Sequence, residues 1–589
     1  MAIELLQQIG SPDDLKRLTA SQLPRLATEV REMILSVVSA NGGHLATNLG
    51  AVELSIALHR VFNSPRDRLV WDVGNQCYTH KMLTGRRERL RTLRQAAGLS
   101  GFTNRGESVH DHFTAGHAGT ALSSAIGLAR ARDQLGQDWW VVVVVGDGAL
   151  SAGMSLEALN NLELVPSRVL VVLNDNEFSI SRSCGALSRR LARARNRILD
   201  SGLFGELGIR YLGPVDGHDV ALLEAVLGQI REMERSVLLH VVTQKGRGHP
   251  PAERDPAKFH GVPPVDPAAP KSPSHKAPTY TEVFCDELLR LARNDSRILA
   301  VTAAMMSGTG LAAFAQEFPQ RTFDVGIAEQ HAVTFSGGLA AGGCRPVVAI
   351  YSTFLQRGFD QVIHDVCLQD LPVVFIVDRA GVAGEDGPTH HGVFDLAYLR
   401  PLPGIAIMAP RDGPELRRML RLAFEHDGPS AIRIPRAEAL GGEQREITGP
   451  LEMGKAELMV PGEHVALLAL GSMVAPSCQA ASILAAEGIG ARVINARFVK
   501  PLDAALIIEA ARGVPCLVTV EEHMAHGGFG SAVLELLAEH RCVLPVTVLG
   551  LPDEFIEHGN RHAILDRCGL SVEKIVERVR DMVAATRRT

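Results

Sequence analysis

Two short, uninterrupted apolar runs, Val141–Val145 and Val169–Leu173, set the frame for the first part of the chain. Each is too short for a buried helix and rich in β-branched residues, so each reads as an interior strand of a parallel sheet, covered on both faces. A helix-length interval separates them, as neighbouring parallel strands require. Helical periodicities alternate with further short apolar runs across residues 1–265. The segment 266–278, rich in Pro, Ala and Ser, then breaks every periodicity and reads as a linker. A second block, 279–438, offers strands at 297–303, 322–325, 346–351, 372–378, 405–409 and 430–434. A short polar crossing near 438–450 closes it. The third block, 451–589, offers strands at 465–470, 492–495, 516–520 and 545–549, again with helices between them. The pattern predicts an α/β protein of three parallel-sheet domains.

Composition narrows the class. The chain has 589 residues, 46% hydrophobic and 21% charged, which is the balance of a multidomain globular protein. A net charge of −6 implies no polyanion partner. The Arg-rich stretch Arg189–Arg195 alternates Arg with small apolar residues, the signature of a solvated helix face rather than a nucleic-acid patch. The nine Cys contain no Cys-x-x-Cys pair, which argues against a disulfide framework and a zinc ribbon and for a reducing compartment. No basic segment leads into an apolar core at the N-terminus, and no run approaches bilayer length. The expectation is a cytoplasmic protein with no nucleic-acid or membrane partner.

Chemistry sits at the strand ends. Gly146-Asp147-Gly148 follows the first valine run directly, and Asn174-Asp175-Asn176 follows the second. Open α/β sheets bind ligands at the carboxyl ends of their strands, so Asp147 and Asn176 should converge there. A carboxylate, an amide oxygen and a main-chain carbonyl leave positions on Mg²⁺ for two phosphate oxygens. Gly146 and Gly148 would let the backbone approach those phosphates. Either half alone is ordinary turn chemistry; the pair, at this spacing, resembles the thiamine diphosphate (ThDP) fingerprint. Further along, Glu329 lies among small apolar neighbours in Asp324–His331, at a predicted helix start. It reads as a buried carboxyl with a raised pKa, able to share a proton with a heteroaromatic nitrogen. A helix-start Glu serving only the helix dipole is the plainer reading.

Several segments together carry a family resemblance: Gly42-Gly43-His44-Leu45-Ala46-Thr47-Asn48-Leu49-Gly50, Asp324–Phe335, Val348–Arg357, Asp378-Arg379-Ala380-Gly381, Glu521-Glu522-His523 and Gly527-Gly528-Phe529-Gly530-Ser531. Over essentially its whole length the chain resembles the 1-deoxy-D-xylulose-5-phosphate synthase family. The resemblance implies a transketolase-like ThDP-binding architecture and a homodimer. It also implies condensation of pyruvate with D-glyceraldehyde 3-phosphate, releasing CO₂ and giving 1-deoxy-D-xylulose 5-phosphate, a precursor for isoprenoid and thiamine synthesis. Matched position by position, Asp147, Asn176 and the main chain at Phe178 hold Mg²⁺. His44, Asn75, Gly116, His117, Ala118, Gly148, Ala149, Asn176, Phe354 and Glu329 meet ThDP. Glu329, His44 and His390 are catalytic, and Tyr351, Arg379, Asp386 and Arg436 bind the acceptor.

The departures from that family matter too. Gly74-Asn75-Gln76 stands where the family usually has Gly-His-Gln, and Gly116-His117-Ala118-Gly119 where it has Gly-His-Ser-Ser. Both remove donors or ionisable groups near the expected cofactor pocket. Asn104 replaces a basic residue ahead of a loop expected to be mobile. Three other readings are compatible with parts of the pattern. One is a ThDP transferase with a ketose phosphate donor, another a cofactor-binding relative without catalysis. The third takes Gly308-Thr309-Gly310 with Asp324 as a dinucleotide fingerprint.

Overall fold

The computed structural model describes residues 4–163, 168–180, 182–195, 202–265, 277–439 and 451–587. Residues 266–276 of the predicted linker 266–278 and 440–450 of the polar crossing lie outside these residues. The chain forms two compact units, Met1–Ala269 with Gly326–Ala328, and Pro270–Val325 with Glu329–Thr589.

The first unit contains β1 (Gly43–His44), β2 (Arg68–Trp71), β3 (Val141–Gly146), β4 (Val169–Asp175), β5 (Arg210–Asp216), β6 (Val237–Val242) and β7 (Gly261–Val262). Five of them form a parallel sheet in the order β2-β3-β4-β6-β5. The consecutive valines are explained by burial on both faces: Val142, Val144 and Val172 point into one core, Val141, Val143, Val145 and Val171 into the other. Alternation is impossible where neither face meets water. A two-stranded antiparallel ribbon, β1 with β7, was not foreseen; it sets His44 opposite Gly261. Helices Leu23–Asn41 and Val52–Val61 are joined by a bidentate bond from Arg31 to Glu53, at 2.7 and 2.6 Å, and His218 Nδ1 lies 3.0 Å from the same carboxylate. The Arg-rich stretch is helix Gly185–Ala194, with Leu191 and Ala194 buried and Arg189, Arg190 and Arg193 exposed.

The second unit holds β8 (Ile298–Thr302), β9 (Thr322–Asp324), β10 (Arg345–Tyr351), β11 (Val374–Asp378), β12 (Ala406–Met408), β13 (Ser430–Arg433), β14 (Glu457–Val460), β15 (Val465–Ala469), β16 (Ala491–Asn495), β17 (Phe498–Lys500), β18 (Leu517–Met524) and β19 (Val546–Leu551). They make two sheets, β17-β12-β13-β11-β10-β8-β9 and β14-β16-β15-β18-β19. Each block of sequence thus carries a mainly parallel sheet, as the hydrophobic pattern predicts. The expectation of purely parallel sheets is corrected at two edges: β14 runs antiparallel to β16, and β17 leaves the third block to run antiparallel along β12. Antiparallel strands are commonly added at the edge of such sheets because only one neighbour constrains them. One core lies between the two sheets, with Val348, Ile350 and Phe375 on one side and Leu468, Ile494 and Leu517 on the other.

Candidate active site

In the first unit, β3 and β4 are paired so that Gly146 lies opposite Asn174, which brings the two strand-end triplets side by side. Asp147 opens the short helix Asp147–Leu150 and is 2% exposed. Burial, reinforced by the neighbouring Asp175 carboxylate, pushes its pKa up to about 6. A carboxyl so placed is destabilised as an anion until a cation joins it. The Asn176 N–H lies 3.4 Å from Asp147 Oδ1, and Asn176 Oδ1 accepts the Phe178 N–H at 3.1 Å, leaving a second lone pair. Carboxylate, amide oxygen and main chain in one turn fit a hard divalent cation.

Asp175 plays a different part. Burial would raise its pKa, but hydrogen bonds from His240 and Arg195 outweigh that and hold it below the ordinary carboxylate range. Arg195 Nε donates to it at 2.8 Å and His240 Nε2 lies at 2.9 Å, so it anchors the turn. Arg195 also pairs with Glu177. Of the two glycines, Gly148 is the one the packing requires, since an added Cβ would lie 2.6 Å from Ser179 Cβ. Nothing lies within 4 Å of a Cβ at Gly146. Ala149, next in the helix, is buried.

The remaining first-unit positions lie on three loops held by two residues that the sequence did not single out. The Asp72 carboxylate, just beyond β2, accepts the N–H groups of Gly119 at 2.9 Å and Ala121 at 3.1 Å. It thereby fixes the Gly116-His117-Ala118-Gly119 turn at the start of helix Ala121–Gln134. Asn48, 1% exposed, donates to the carbonyls of His44 and Asn75, each at 2.7 Å, and ties those two residues together. The His44 ring packs 5.2 Å from Phe102 and 5.5 Å from His260. Lys245 was also missed. It is buried, lies 3.0 Å from His260 Nδ1 and donates to the Ser179 carbonyl, and burial brings its pKa down to about 7. A cavity of about 210 Å³ is lined by Asn176, Phe178, Arg195, Thr243, Lys245 and Glu253, among others. The strand-end acid at Asp72 repeats the Asp147 pattern and could have been found; Asn48 and Lys245 carry no such signal.

The loop expected to be mobile is anchored. Asp111 accepts the Asn104 N–H at 2.9 Å and two Arg86 bonds at 2.7 and 2.8 Å, with His80 Nε2 at 2.9 Å. Lys81 Nζ binds Glu107 at 2.5 Å. Charges buried in mutual hydrogen bonds hold a loop closely, because releasing one partner strands the other.

In the second unit, Glu329 begins helix Glu329–Ala341 and is 4% exposed. Burial raises its pKa, opposed by the Arg357 guanidinium, whose Nη1 lies 3.3 Å from Oε2. Arg357 follows the short helix Ser352–Leu355, which carries Phe354. The Phe354 ring stacks on Tyr351 at 5.7 Å and meets His390 edge-on at 5.6 Å. Tyr351 ends β10 beside Asp378, and the Arg379 guanidinium lies 4.1 Å above its ring.

Tyr351 is 3% exposed, and no described protein group hydrogen-bonds its hydroxyl. Burial pushes its pKa up to about 12; the charges acting on it come from Arg379, Asp378, Arg436 and Asp386. The four positions matched to acceptor binding, Tyr351, Arg379, Asp386 and Arg436, therefore share one neighbourhood. Arg379 has φ +54°, in the left-handed region that few non-glycine residues adopt. Arg436 is half-exposed and pairs with Glu385 at 3.1 Å. His390 Nδ1 lies 2.9 Å from Thr389 Oγ1.

The dinucleotide reading fails here. A Cβ on Gly308 would meet the Tyr351 hydroxyl at 2.2 Å, and one on Gly310 would meet Thr281 at 3.0 Å. Both glycines serve close packing inside this unit. Asp324 accepts the Ala304 N–H at 2.8 Å, from the bend that follows β8.

Comparison with known proteins agrees with the sequence pattern. Residues 6–200 and 193–243 match the family model described as 1-deoxy-D-xylulose-5-phosphate synthase. Residues 276–440 match the transketolase pyrimidine binding domain, and 454–575 the transketolase C-terminal domain. The chain is 52% identical to a 1-deoxy-D-xylulose-5-phosphate synthase of Desulforudis audaxviator, covering 97% of this chain and 96% of the relative. It is 50% identical to 1-deoxy-D-xylulose-5-phosphate synthase 1 of Geobacter sulfurreducens, covering 99% and 98%. Among solved structures, a transketolase of Campylobacter jejuni aligns at 20% identity with a TM-score of 0.46, covering 96% of this chain and 100% of that chain.

Proposed function

Because this chain belongs to the 1-deoxy-D-xylulose-5-phosphate synthase family, we propose that it joins pyruvate to D-glyceraldehyde 3-phosphate with release of CO₂, using the residues gathered at the two strand-end clusters. ThDP, when bound, supplies an electron sink for the decarboxylation. Asp147, Asn176 and the Phe178 carbonyl would hold Mg²⁺, whose charge would offset that of the diphosphate. Gly148, Ala149 and the Gly116-His117-Ala118 turn receive the phosphate end.

Glu329 holds a proton at its carboxyl for the ring nitrogen of the aminopyrimidine. Its raised pKa keeps it protonated nearer neutrality than an exposed Glu, while Arg357 limits the shift. Phe354 presents an aromatic face to the same ring. His44 and His390 orient substrate and move protons at the reacting carbon, a task suited to imidazole near neutral pH. Asn75 offers hydrogen bonds without a titratable proton. Arg379 and Arg436 take the acceptor's phosphate, and Asp386 accepts bonds from its hydroxyls. The working molecule is a cytoplasmic homodimer.

The observation that carries the acceptor assignment is the buried Tyr351 hydroxyl without a described protein partner, in the field of Arg379, Arg436 and Asp386. A buried donor left unmade is costly unless a ligand completes it. The synthase match over the first block favours pyruvate over a ketose phosphate as donor. Mass spectrometry of products from pyruvate, D-glyceraldehyde 3-phosphate, ThDP and Mg²⁺, against a ThDP-free control, tests the reading. A ThDP-dependent deoxyketose phosphate with matching CO₂ supports it. A ketose exchange without CO₂ would replace pyruvate as donor.

A further inference from the structure

The loop after β11 carries both Asp386 and His390, and its two feet are tied to the third block of the chain. At the first foot, the Glu522 side chain on β18 accepts the Val382 N–H at 2.9 Å. The same carboxylate, 1% exposed, accepts the Ser472 hydroxyl at 2.7 Å and Arg561 Nε at 3.2 Å. At the second foot, Arg433 Nη2 donates to the carbonyls of Gly392 at 3.2 Å and Glu522 at 2.7 Å, while its Nε donates to Asp395 at 2.8 Å. Between them, the Gly559 N–H donates to the Gly384 carbonyl at 3.3 Å. His391 Nδ1 accepts the Ala383 N–H at 3.0 Å, which places its proton on Nε2, facing the Glu557 carbonyl at 3.5 Å.

One residue thus reaches both ends of the loop, through its carboxylate at Val382 and, by way of Arg433, through its carbonyl at Gly392. Four donors from three residues, Val382, Ser472 and both Nε and Nη2 of Arg561, converge on the carboxylate, which needs two acceptor oxygens and no donor of its own; an amide at this position would turn an N–H₂ toward one of them. We propose that Glu522, with Arg561, is a positioning residue for the acceptor loop, so that the third block sets the placement of Asp386 and His390 from behind. The inference rests on the reading that Asp386 meets the acceptor and His390 lies at the reacting carbon.

The test uses the full-length ThDP- and Mg²⁺-loaded protein with Glu522→Gln and Arg561→Ala, the second removing a side chain that is 18% exposed and less critical to folding. Hydrogen exchange at Val382 and Ala383, whose N–H groups bond Glu522 and His391, should quicken in both variants. The KM for D-glyceraldehyde 3-phosphate should rise about tenfold, the worth of one hydrogen bond to a charged group, with pyruvate KM and ThDP affinity unchanged. The double variant should lose little more than either single, because the two act as one unit. Unchanged exchange at the loop, or equal rises in both KM values, overturns the proposal. If Glu522→Gln does not fold, Arg561→Ala alone carries the same readouts. A parent protein that makes no deoxyketose phosphate would sink the acceptor reading instead, and the exchange measurement would still decide whether Glu522 positions the loop.

Discussion

Gly308→Ala offers a sharp test of how the acceptor residues are packed. The added Cβ would lie 2.2 Å from Tyr351 Oη, a shortfall of about 1.2 Å against the 3.4 Å at which ordinary contact begins. Met305 Cε, 2.8 Å away, is the end of a flexible side chain and can yield. Tyr351 has little room to do so: it sits on an inner strand with β8 and β11 on either side, Phe354 stacked on one face and Arg379 4.1 Å from the ring. Overpacking of this kind costs about 1–3 kcal/mol of stability. Displacing a binding group by an ångström can lower turnover about a hundredfold, so kcat/KM for D-glyceraldehyde 3-phosphate should fall by that order. Urea denaturation and steady-state kinetics measure both. Adding Tyr351→Phe removes the clashing oxygen and leaves Cζ at 3.1 Å, so the double variant should regain most of the stability but not the acceptor kinetics. Parent-like stability and acceptor KM in Gly308→Ala would refute the reasoning, as would a double variant no more stable than the single.

Three further outcomes are expected. Glu329→Gln should keep the fold by circular dichroism and lose about 10²- to 10⁴-fold in turnover, the usual worth of a positioned acid–base group; turnover equal to the parent would remove it from the chemistry. Arg379→Ala and Arg436→Ala should each harm use of the phosphorylated aldehyde far more than use of an unphosphorylated one, and equal losses would contradict a phosphate role. Glu53 should contribute to acid stability: burial raises its pKa, but bonds from His218 and Arg31 bring it from 4.5 down to about 2. A depressed carboxylate pKa gives stability that is full above about pH 4.5 and is lost as pH falls toward 2, roughly 3 kcal/mol in all. Glu53→Gln should flatten that part of the acid-unfolding curve, and an unaltered curve would rule the contribution out.

What the sequence made legible follows from how local each signal is. Five adjacent valines can be read without a structure because a strand covered on both faces needs no alternation. Asp147 and Asn176 were legible because each closes such a strand, and Glu329 because its small neighbours left room only for burial. Asn48 and Lys245 were missed for the opposite reason. Asn48 ties His44 to Asn75, and Lys245 meets Ser179 and His260; these meetings are made by the fold, and the residue types around them do not announce them. Gly308 was open to misreading because its requirement comes from Tyr351, at the end of β10. Phe498–Lys500 is too short to show a period, and the sheet it joins is decided by packing. The bonding of the Asn104 loop depends on Asp111 meeting Arg86 and His80, a convergence that residue types alone do not reveal.

The strand that β17 lends to β12, together with the core that the two sheets share, bears on how this chain can be taken apart. A hybrid enzyme that exchanged only the third block for a relative's would carry a foreign strand at the edge of a resident sheet. It would also have one core built from two lineages, with side-chain volumes never selected to fit. A swap of the second and third blocks together keeps both intact. For recombination, whether in the laboratory or between genomes, the stretch from the linker onward is therefore one heritable piece, although it reads as two in the pattern of strands.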